Sequence, residues 1–497
     1  MLVTEKLAVH AKQQPEKIIT SFQGKNTSYS EFYEQVKRLA GYFQVKGYQK
    51  EDIIAVYLHN SDLFLVCYYA CQLGGFTVLP VNTKLTAPEI DYILTHSEAK
   101  ALIYDVRFND VLNEIPNTFA KFQDTLLVGE EDTLTTIVND ESIVFKETQV
   151  DQNDTTVIFY TSGTTGKPKG VMLSAGNVEA AAEIWGEAVG YESTDRIHIV
   201  TPLFHCAASH VFCIPGIYAG GTIVIEEAFS PEKALETMEK EDVTIFFGVP
   251  AMYMILLNTP KMAELKLNHL RLFAYGAAPM PFELVRKVKS LYPSVKVQNL
   301  YGQTENSPAA TTLKDHHALE KVGSVGEALP HTEVRVVDEF GDSLPVGQVG
   351  EIVVKGPQVM KGYLKNEEAT HQAIQNGWLY SGDLGRFDKD GLLYIVDRKK
   401  DMIIRGGENV YPVEVEEVLY EIPEVLEAAV IGVPHPVYGE VPKAYVVIKK
   451  GQSLSEEDVL AFSSKRLAKY KLPAEVEIID TLPRNASGKV LKNALRV

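Results

Sequence analysis

Residues 155–171 read TTVIFYTSGTTGKPKGV. The first six are apolar or β-branched and predict a strand. The last twelve, from Tyr160, hold three glycines, four Ser or Thr hydroxyls and two lysines. A glycine-rich loop behind a strand can wrap phosphate oxygens with backbone N–H groups. Around Gly163 and Gly166, the residues Thr161, Ser162, Thr164 and Thr165 add hydroxyl donors, and Lys167 and Lys169 add charge, so the loop suits a polyphosphate, ATP being the obvious one. It is not a Walker A loop: two residues separate Gly163 from Gly166, and Pro168 follows Lys167 where Ser or Thr would bind magnesium.

Outward from this stretch, helix and strand alternate. An apolar helix ending at Gly74 and Gly75 precedes FTVLPV, and a second ending at Gly220 and Gly221 precedes TIVIEEA. Glycine ends each helix and β-branched residues begin each strand, so the echo predicts two similar sheet-and-helix halves. SPEKALETMEKED predicts a helix capped by Ser230 and Pro231, and VTIFFGV, RLFAYGA and VKVQNLYG predict strands. Strands that run into glycine-containing loops are where α/β sheets place ligands. From about residue 320 the texture turns to short alternating runs and turn signals such as DKDG, which predict an antiparallel β layer. Beyond DRKKDMIIRGG, the candidate hinge, a helix over 412–422, two strands, a helix over 455–470 and a strand EVEIID form a module small enough to move as a unit. The expected fold is α/β: a large N-terminal domain, 1–399, of two sheet-and-helix subdomains plus a β subdomain, then a small mobile α+β C-terminal domain, 400–497.

A chain of 497 residues, 45% hydrophobic, has material for more than one core. Its net charge of −18 argues against nucleic acid or an anionic membrane as the main partner and suits a cytoplasmic enzyme. Four cysteines are too few for a disulfide framework, and Cys67 and Cys71, at i, i+4 within an apolar run, are expected as buried core thiols rather than a metal pair. The apolar runs over 63–81 and 210–225 are each interrupted by Gly-Gly and by proline, so neither is expected to span a membrane.

Seven motifs in order carry a resemblance: YTSGTTGKPKG; PLFH at 202–205; YGAAPM at 275–280; YGQTE at 301–305; SGDLG at 381–385; DRKKDMIIRGGENVYP from Asp397; and PRNASGK at 483–489. Spread across nearly the whole chain, they resemble the adenylate-forming superfamily of acyl-CoA synthetases, luciferases and peptide-synthetase adenylation domains, most of all the fatty-acid–CoA ligases. The resemblance implies a two-step reaction in which ATP converts a carboxylate to an acyl-adenylate with loss of pyrophosphate, and a thiol then displaces AMP. Its cofactors would be ATP, Mg2+ and coenzyme A as co-substrate. Its partners would be those small molecules and a carboxylic acid, with no nucleic acid and no membrane span, and it allows a homodimer.

Carried onto this sequence, the motifs imply that Glu305 helps hold magnesium, that Thr304 contacts the α-phosphate, and that Tyr301 beside Gly302 stacks on adenine opposite Gly276, Ala277 and Ala278. Asp383 would accept hydrogen bonds from the ribose hydroxyls, with Arg398 as its partner on the phosphate side. Lys489 would reach the carboxylate and α-phosphate oxygens during adenylation, and a rotated orientation would bring Gly406 and Gly407 to the thiol tunnel, about a hinge at Lys400. His205 would line the passage between the acid pocket and that tunnel. Without the motifs, an Asp in a hairpin, a Glu in a loop or a lysine near a C-terminus would be read as solvated surface.

The acid pocket implied by the resemblance draws on His205, Ala207, Ala208 and Val249, with Ser209, Val211, Phe247 and Pro250 nearby. Small and apolar side chains there favour an uncharged acyl group, and neither YGAAPM nor FFGVPAMY supplies the aspartate an amino-acid substrate would need. The chain runs eight residues past Lys489, which favours free coenzyme A over a fused carrier. A medium- or long-chain fatty acid is the leading substrate. Aryl acids, coumarate-like or succinylbenzoate-like, are the alternative, as are loading of a separate carrier protein, a luciferase-type oxygenase, and a binding protein that has lost catalysis.

Overall fold

In the computed structural model, which describes residues 1–129, 132–161, 167–406, 408–484 and 490–496, the apolar run forms the strand Thr155–Thr161. It pairs antiparallel with Lys169–Ser174, from Thr161↔Lys169 back to Thr155↔Ser174. The glycine-rich segment therefore joins two antiparallel strands, and the helix Ala175–Val189 follows only after the second. This geometry differs from the strand–loop–helix of a Walker A site, where a helix N-terminus faces the phosphates.

The chain divides into two compact units, Met1–Val334 with Val354–Tyr380, and Arg335–Val353 with Ser381–Val497. The boundary expected between 399 and 400 lies inside the second.

The first unit holds two sheets. In one, the strands run in the order Gly362–Tyr363, Lys169–Ser174, Thr155–Thr161, Thr77–Pro80, Ile53–Tyr57, Ala101–Asp105, Asp124–Val128, parallel from Thr155–Thr161 onward. In the other, a parallel core is laid out as Lys296–Tyr301, Leu272–Gly276, Ile245–Gly248, Arg196–Ile199, Thr222–Ile225, Ile18–Phe22. Strands such as ALIYD and IFFG are buried along their whole length, as expected for parallel strands covered on both faces. The two echoing units fall one in each sheet: Thr77–Pro80 and Thr222–Ile225.

The helix before the first of these, Asp62–Gly74, is capped by the Ser61 hydroxyl, which accepts from the Phe64 N–H at 3.2 Å, and it ends where Gly75 turns left-handed at φ 75°. The helix before the second is less regular. Residues Ala207–Cys213 form π turns, with the Ile214 N–H reaching back five residues to the Ser209 carbonyl, before Ile214–Tyr218 continues as α-helix. A π segment widens the helix and is frequent at functional sites. Helix Pro231–Lys240 starts after Ser230 as expected, but the Ser230 hydroxyl bonds the Glu232 carboxylate instead of capping the backbone.

In the second unit, Glu333–Val337, Gly350–Lys355, Trp378–Phe387 and Leu393–Arg398 are sheet neighbours in that order, so the expected β layer is present. The DKDG turn is tied by Asp388, whose Oδ1 accepts from the Asp390 and Leu392 N–H groups at 2.9 Å, while Gly391 takes φ 79°. Helix Pro412–Tyr420 is followed by the hairpin Val425–His435 and Gly439–Ile448, with Glu475–Ile478 parallel to the latter. The helix expected over 455–470 is shorter, Glu456–Ser464. Past Ser464 the N–H groups of Lys465 and Arg466 bond only three residues back, to Phe462 and Ser463, and the Arg405 guanidinium donates to the carbonyls of Tyr470 and Leu472 further on, at 3.0 and 3.1 Å.

All four cysteines are free and buried, and burial pushes the thiols of Cys67 and Cys71 upward. Among the described residues, no helix is long and apolar enough to cross a membrane, and no group of three His, Cys, Asp or Glu residues is placed to hold a metal ion.

Candidate active site

In the first unit the parallel strands Leu272–Gly276 and Lys296–Tyr301 end side by side, with Gly276 opposite Leu300. Here glycine is a steric requirement: a Cβ on Gly276 would lie 2.5 Å from the Leu300 carbonyl oxygen. Ala277 follows in the left-handed region at φ 66°, and Ala277 and Ala278 are both exposed, leaving a flat, open strand end next to the half-buried Tyr301. The adenine wall and stacking residue that the motifs imply are thus neighbours in one sheet.

Past Tyr301 the chain folds back on itself so tightly that a Cβ on Gly302 would sit 2.0 Å from the Pro308 carbonyl oxygen. The short turn Thr304–Asn306 sits in this fold, and the Gln303 N–H is held by the Asn306 side chain at 2.8 Å. Glu305 is half-buried; among the described residues its carboxylate accepts one hydrogen bond, from the Tyr363 hydroxyl to Oε1 at 2.9 Å. Its charge also reaches Cys206, adding to the burial that pushes that thiol up.

Thr161 and Lys169 face each other as the last pair of the hairpin. The Lys169 ammonium lies over the Tyr363 ring, 4.7 Å from its centroid, and that of Lys167 over the Tyr92 ring at 5.4 Å. Ser162, Gly163, Thr164, Thr165, Gly166, Gly407 and Lys489 lie outside the described residues.

The PLFH segment leaves the strand Arg196–Ile199 and is fastened by Asn60, whose side chain donates to the Thr201 carbonyl at 2.9 Å and accepts from the Leu203 N–H at 2.7 Å. This role of Asn60 was not legible in the sequence: a lone Asn after a strand has no motif around it. Burial, with Lys84 adding a repulsive charge, pushes the His205 imidazole down to about 4, so it is neutral near pH 7. The π segment begins two residues on. Ala208 and Val211 are buried in the core, Ala207 and Val249 are half-buried, and Phe212 stacks on Phe247 at 4.4 Å. The buried His210 donates to or accepts from the Tyr68 hydroxyl at 2.7 Å.

In the second unit, Asp383 and Arg398 are a cross-strand pair, with Arg398 Nε 3.4 Å from Asp383 Oδ1. Asp383 is buried while Arg398 is 40% exposed, so the carboxylate is preset and the guanidinium is accessible. Neighbouring Gly382 turns at φ 71° and donates its N–H to Glu351 at 3.1 Å. Asp397 is buried and pushed up to about 6, though it accepts from the Val413 and Arg398 N–H groups at 3.0 and 2.6 Å. Lys400 is exposed. Gly406 adopts φ 61° between the paired strands Ile403–Arg405 and Glu408–Val410, and its N–H donates to the Tyr438 carbonyl at 2.8 Å.

The family model for AMP-binding enzymes matches residues 7–364, and that for the AMP-binding enzyme C-terminal domain matches 414–489. The chain belongs to the AMP-binding enzyme family. This AMP-binding enzyme is 37% identical over 98% of its length to a feruloyl-CoA synthase from Amycolatopsis sp, covering 96% of that protein. It is 35% identical over 94% of its length to the long-chain-fatty-acid–CoA ligase FadD13 of Mycobacterium tuberculosis, covering 92% of it. Among solved structures it matches ATP-bound MatB from Rhodopseudomonas palustris with a TM-score of 0.91 and 33% identity, covering all of this chain and 98% of that one. The AMP-binding enzyme is therefore an ATP-dependent, AMP-forming acid–CoA ligase with the adenylate-forming fold.

Proposed function

We propose that this ligase activates a medium- or long-chain fatty acid. What carries the reading is the apolar character of the segment after PLFH: Ala207, Val211, Phe247 and Val249 offer nothing to pair with a second charge on the acid, and an unpaired charge against such a wall is costly. The fatty-acid relative, similar over nearly its whole length, supports the same class. A specific observation favours a second reading, an aryl acid: a relative at 37% identity is a feruloyl-CoA synthase.

In the mechanism we propose, adenine stacks on Tyr301 against Gly276, Ala277 and Ala278, with Gly302 allowing the turn beneath it. The phosphates take hydrogen bonds from Thr161, Thr304 and the glycine-rich loop, and charge from Lys167 and Lys169. Asp383 holds the ribose hydroxyls and Arg398 flanks them. Glu305 fits a magnesium ion, because a half-buried carboxylate that accepts one hydrogen bond from the described residues keeps lone pairs for a hard cation that prefers oxygen ligands. Bound there, the ion would neutralise phosphate charge. The ammonium of Lys489 steadies the acid's carboxylate and the α-phosphate during adenylation. His205, neutral at working pH, lines the way to the thiol without placing a charge there. Lys400 is the hinge at which a mobile part from residue 400 onward turns between half-reactions, and Gly406 and Gly407 serve the second. An acidic chain with four free thiols suits the cytoplasm.

The test is pyrophosphate release from Mg-ATP across graded fatty acids, aryl acids and amino acids, with and without coenzyme A. A maximum among fatty acids that rises with coenzyme A is expected. A maximum among aryl acids would replace the substrate and leave the ligase chemistry standing.

A further inference from the structure

Residues 356–364 carry none of the motifs, yet they stitch together two parts of the proposed site. On one side the strand Gly362–Tyr363 adds to Lys169–Ser174, with the Lys361 N–H donating to the Met172 carbonyl at 3.0 Å and the Leu364 N–H to the Gly170 carbonyl at 2.7 Å. On the other, the Met360 N–H donates to the Glu305 carbonyl at 2.8 Å, the Gln358 amide to the Ala309 carbonyl at 2.8 Å, and the Ser307 hydroxyl to the Gln358 carbonyl at 3.1 Å. At the centre stands Tyr363, buried to 8% exposure. Its hydroxyl donates to Glu305 Oε1 at 2.9 Å, and the Lys169 ammonium sits 4.7 Å from its ring centroid. A tyrosine that served packing alone would need neither partner. This one has a carboxylate on its edge and a cation on its face, the first from the turn Thr304–Asn306 and the second from the strand Lys169–Ser174.

We propose that Tyr363 is a positioning residue for the nucleotide, holding the Glu305 carboxylate with its hydroxyl and the Lys169 ammonium with its ring. The inference rests on the assignment of Glu305 to the metal and Lys169 to the phosphates made above. The two halves of the side chain have separable jobs. The hydroxyl occupies one carboxylate oxygen and orients the other, as partners behind a ligand do. The ring holds the lysine by cation–π attraction, which is stronger for a desolvated pair.

Tyr363→Phe keeps the ring and removes the hydroxyl; Tyr363→Leu removes both. Equilibrium dialysis of ATP over a Mg2+ series, beside pyrophosphate exchange, reads binding independently of turnover. For Tyr363→Phe the Mg2+ needed for half-maximal ATP retention should rise about tenfold, with kcat at saturating Mg2+ and Mg2+-free ATP affinity unchanged. Tyr363→Leu should in addition weaken ATP binding without Mg2+. Glu305→Gln, run in parallel, separates the two levels. If it shifts the Mg2+ requirement and Tyr363→Phe does not, the role of the hydroxyl is overturned while Glu305 keeps its assignment. If neither shifts it, the assignment of Glu305 falls and takes the inference with it. Unchanged Mg2+-free binding in Tyr363→Leu would overturn the role of the ring.

Discussion

Gly302→Ala adds a single carbon, and the fold leaves no place for it. The new Cβ would lie 2.0 Å from the Pro308 oxygen, 2.2 Å from its carbonyl carbon and 2.8 Å from its Cα, all backbone atoms that no rotamer change can move. A carbon–oxygen contact needs about 3.3 Å, so roughly 1.3 Å must come from displacing the 302–308 turn itself. That turn carries Thr304 and Glu305, and it is anchored at Glu305 O and Ser307 Oγ to residues 358–360, so the strain cannot dissipate along a loose loop. A misplacement of about 1 Å costs on the order of a hundredfold in rate, and overpacking of this kind costs about 1–3 kcal/mol of stability. The assay is pyrophosphate exchange with ATP and acid varied separately, together with urea unfolding. We expect kcat/KM for ATP to fall about a hundredfold while the protein remains folded at room temperature. Kinetics and unfolding midpoint both equal to wild type would refute the close approach and the placement of Thr304 and Glu305 that depends on it.

Further outcomes follow from other parts of the chain. Lys489→Ala should nearly abolish formation of the acyl-adenylate yet spare conversion of a supplied adenylate to thioester; equal loss in the two half-reactions would contradict its confinement to the first. Gly186→Ala, inside the helix Ala175–Val189 with nothing within 4 Å of the added carbon, should raise stability by about 0.5–1 kcal/mol with kinetics unaltered; a lower unfolding midpoint would count against it. Burial holds His205 near 4 and His210 near 3, against about 6.5 for a free imidazole. The unfolded chain therefore binds protons that the folded chain refuses as pH drops below about 6.5, so stability should decline from there toward pH 4. Unfolding midpoints across that range should show a shallower decline in His210→Gln, and an identical slope would show that His210 is not kept neutral.

The neighbouring strand ends proposed to take adenine were legible because their geometry is local. The order of motifs placed YGAA and YGQTE at strand ends, and strand ends of a parallel sheet converge whatever the intervening sequence. The same locality made Asp383 and Arg398 legible as candidates, although their facing each other depends on the hairpin register that the Asp388 turn sets. The C-terminal helix was overextended because KRLAKYK holds no glycine or proline to mark the stop at Ser464, and the Arg405 contacts that fasten Tyr470 and Leu472 come from some sixty residues earlier. Asn60 and Tyr363 were missed for a related reason: each acts on a segment far away in the chain, Asn60 on Thr201 and Leu203 some 141 and 143 residues on, Tyr363 on Glu305 58 residues back.

By itself the sequence determined the fold class and the chemistry, since alternating apolar runs, glycine stops and seven short motifs are properties of neighbouring residues. Only the tertiary structure decided what those motifs rest upon. It made the glycine-rich segment a link between antiparallel strands, widened the helix after PLFH into π turns, and set one buried tyrosine between Glu305 and Lys169. Such contacts come from packing between distant segments, whose partners are chosen by shape and burial rather than by any local pattern.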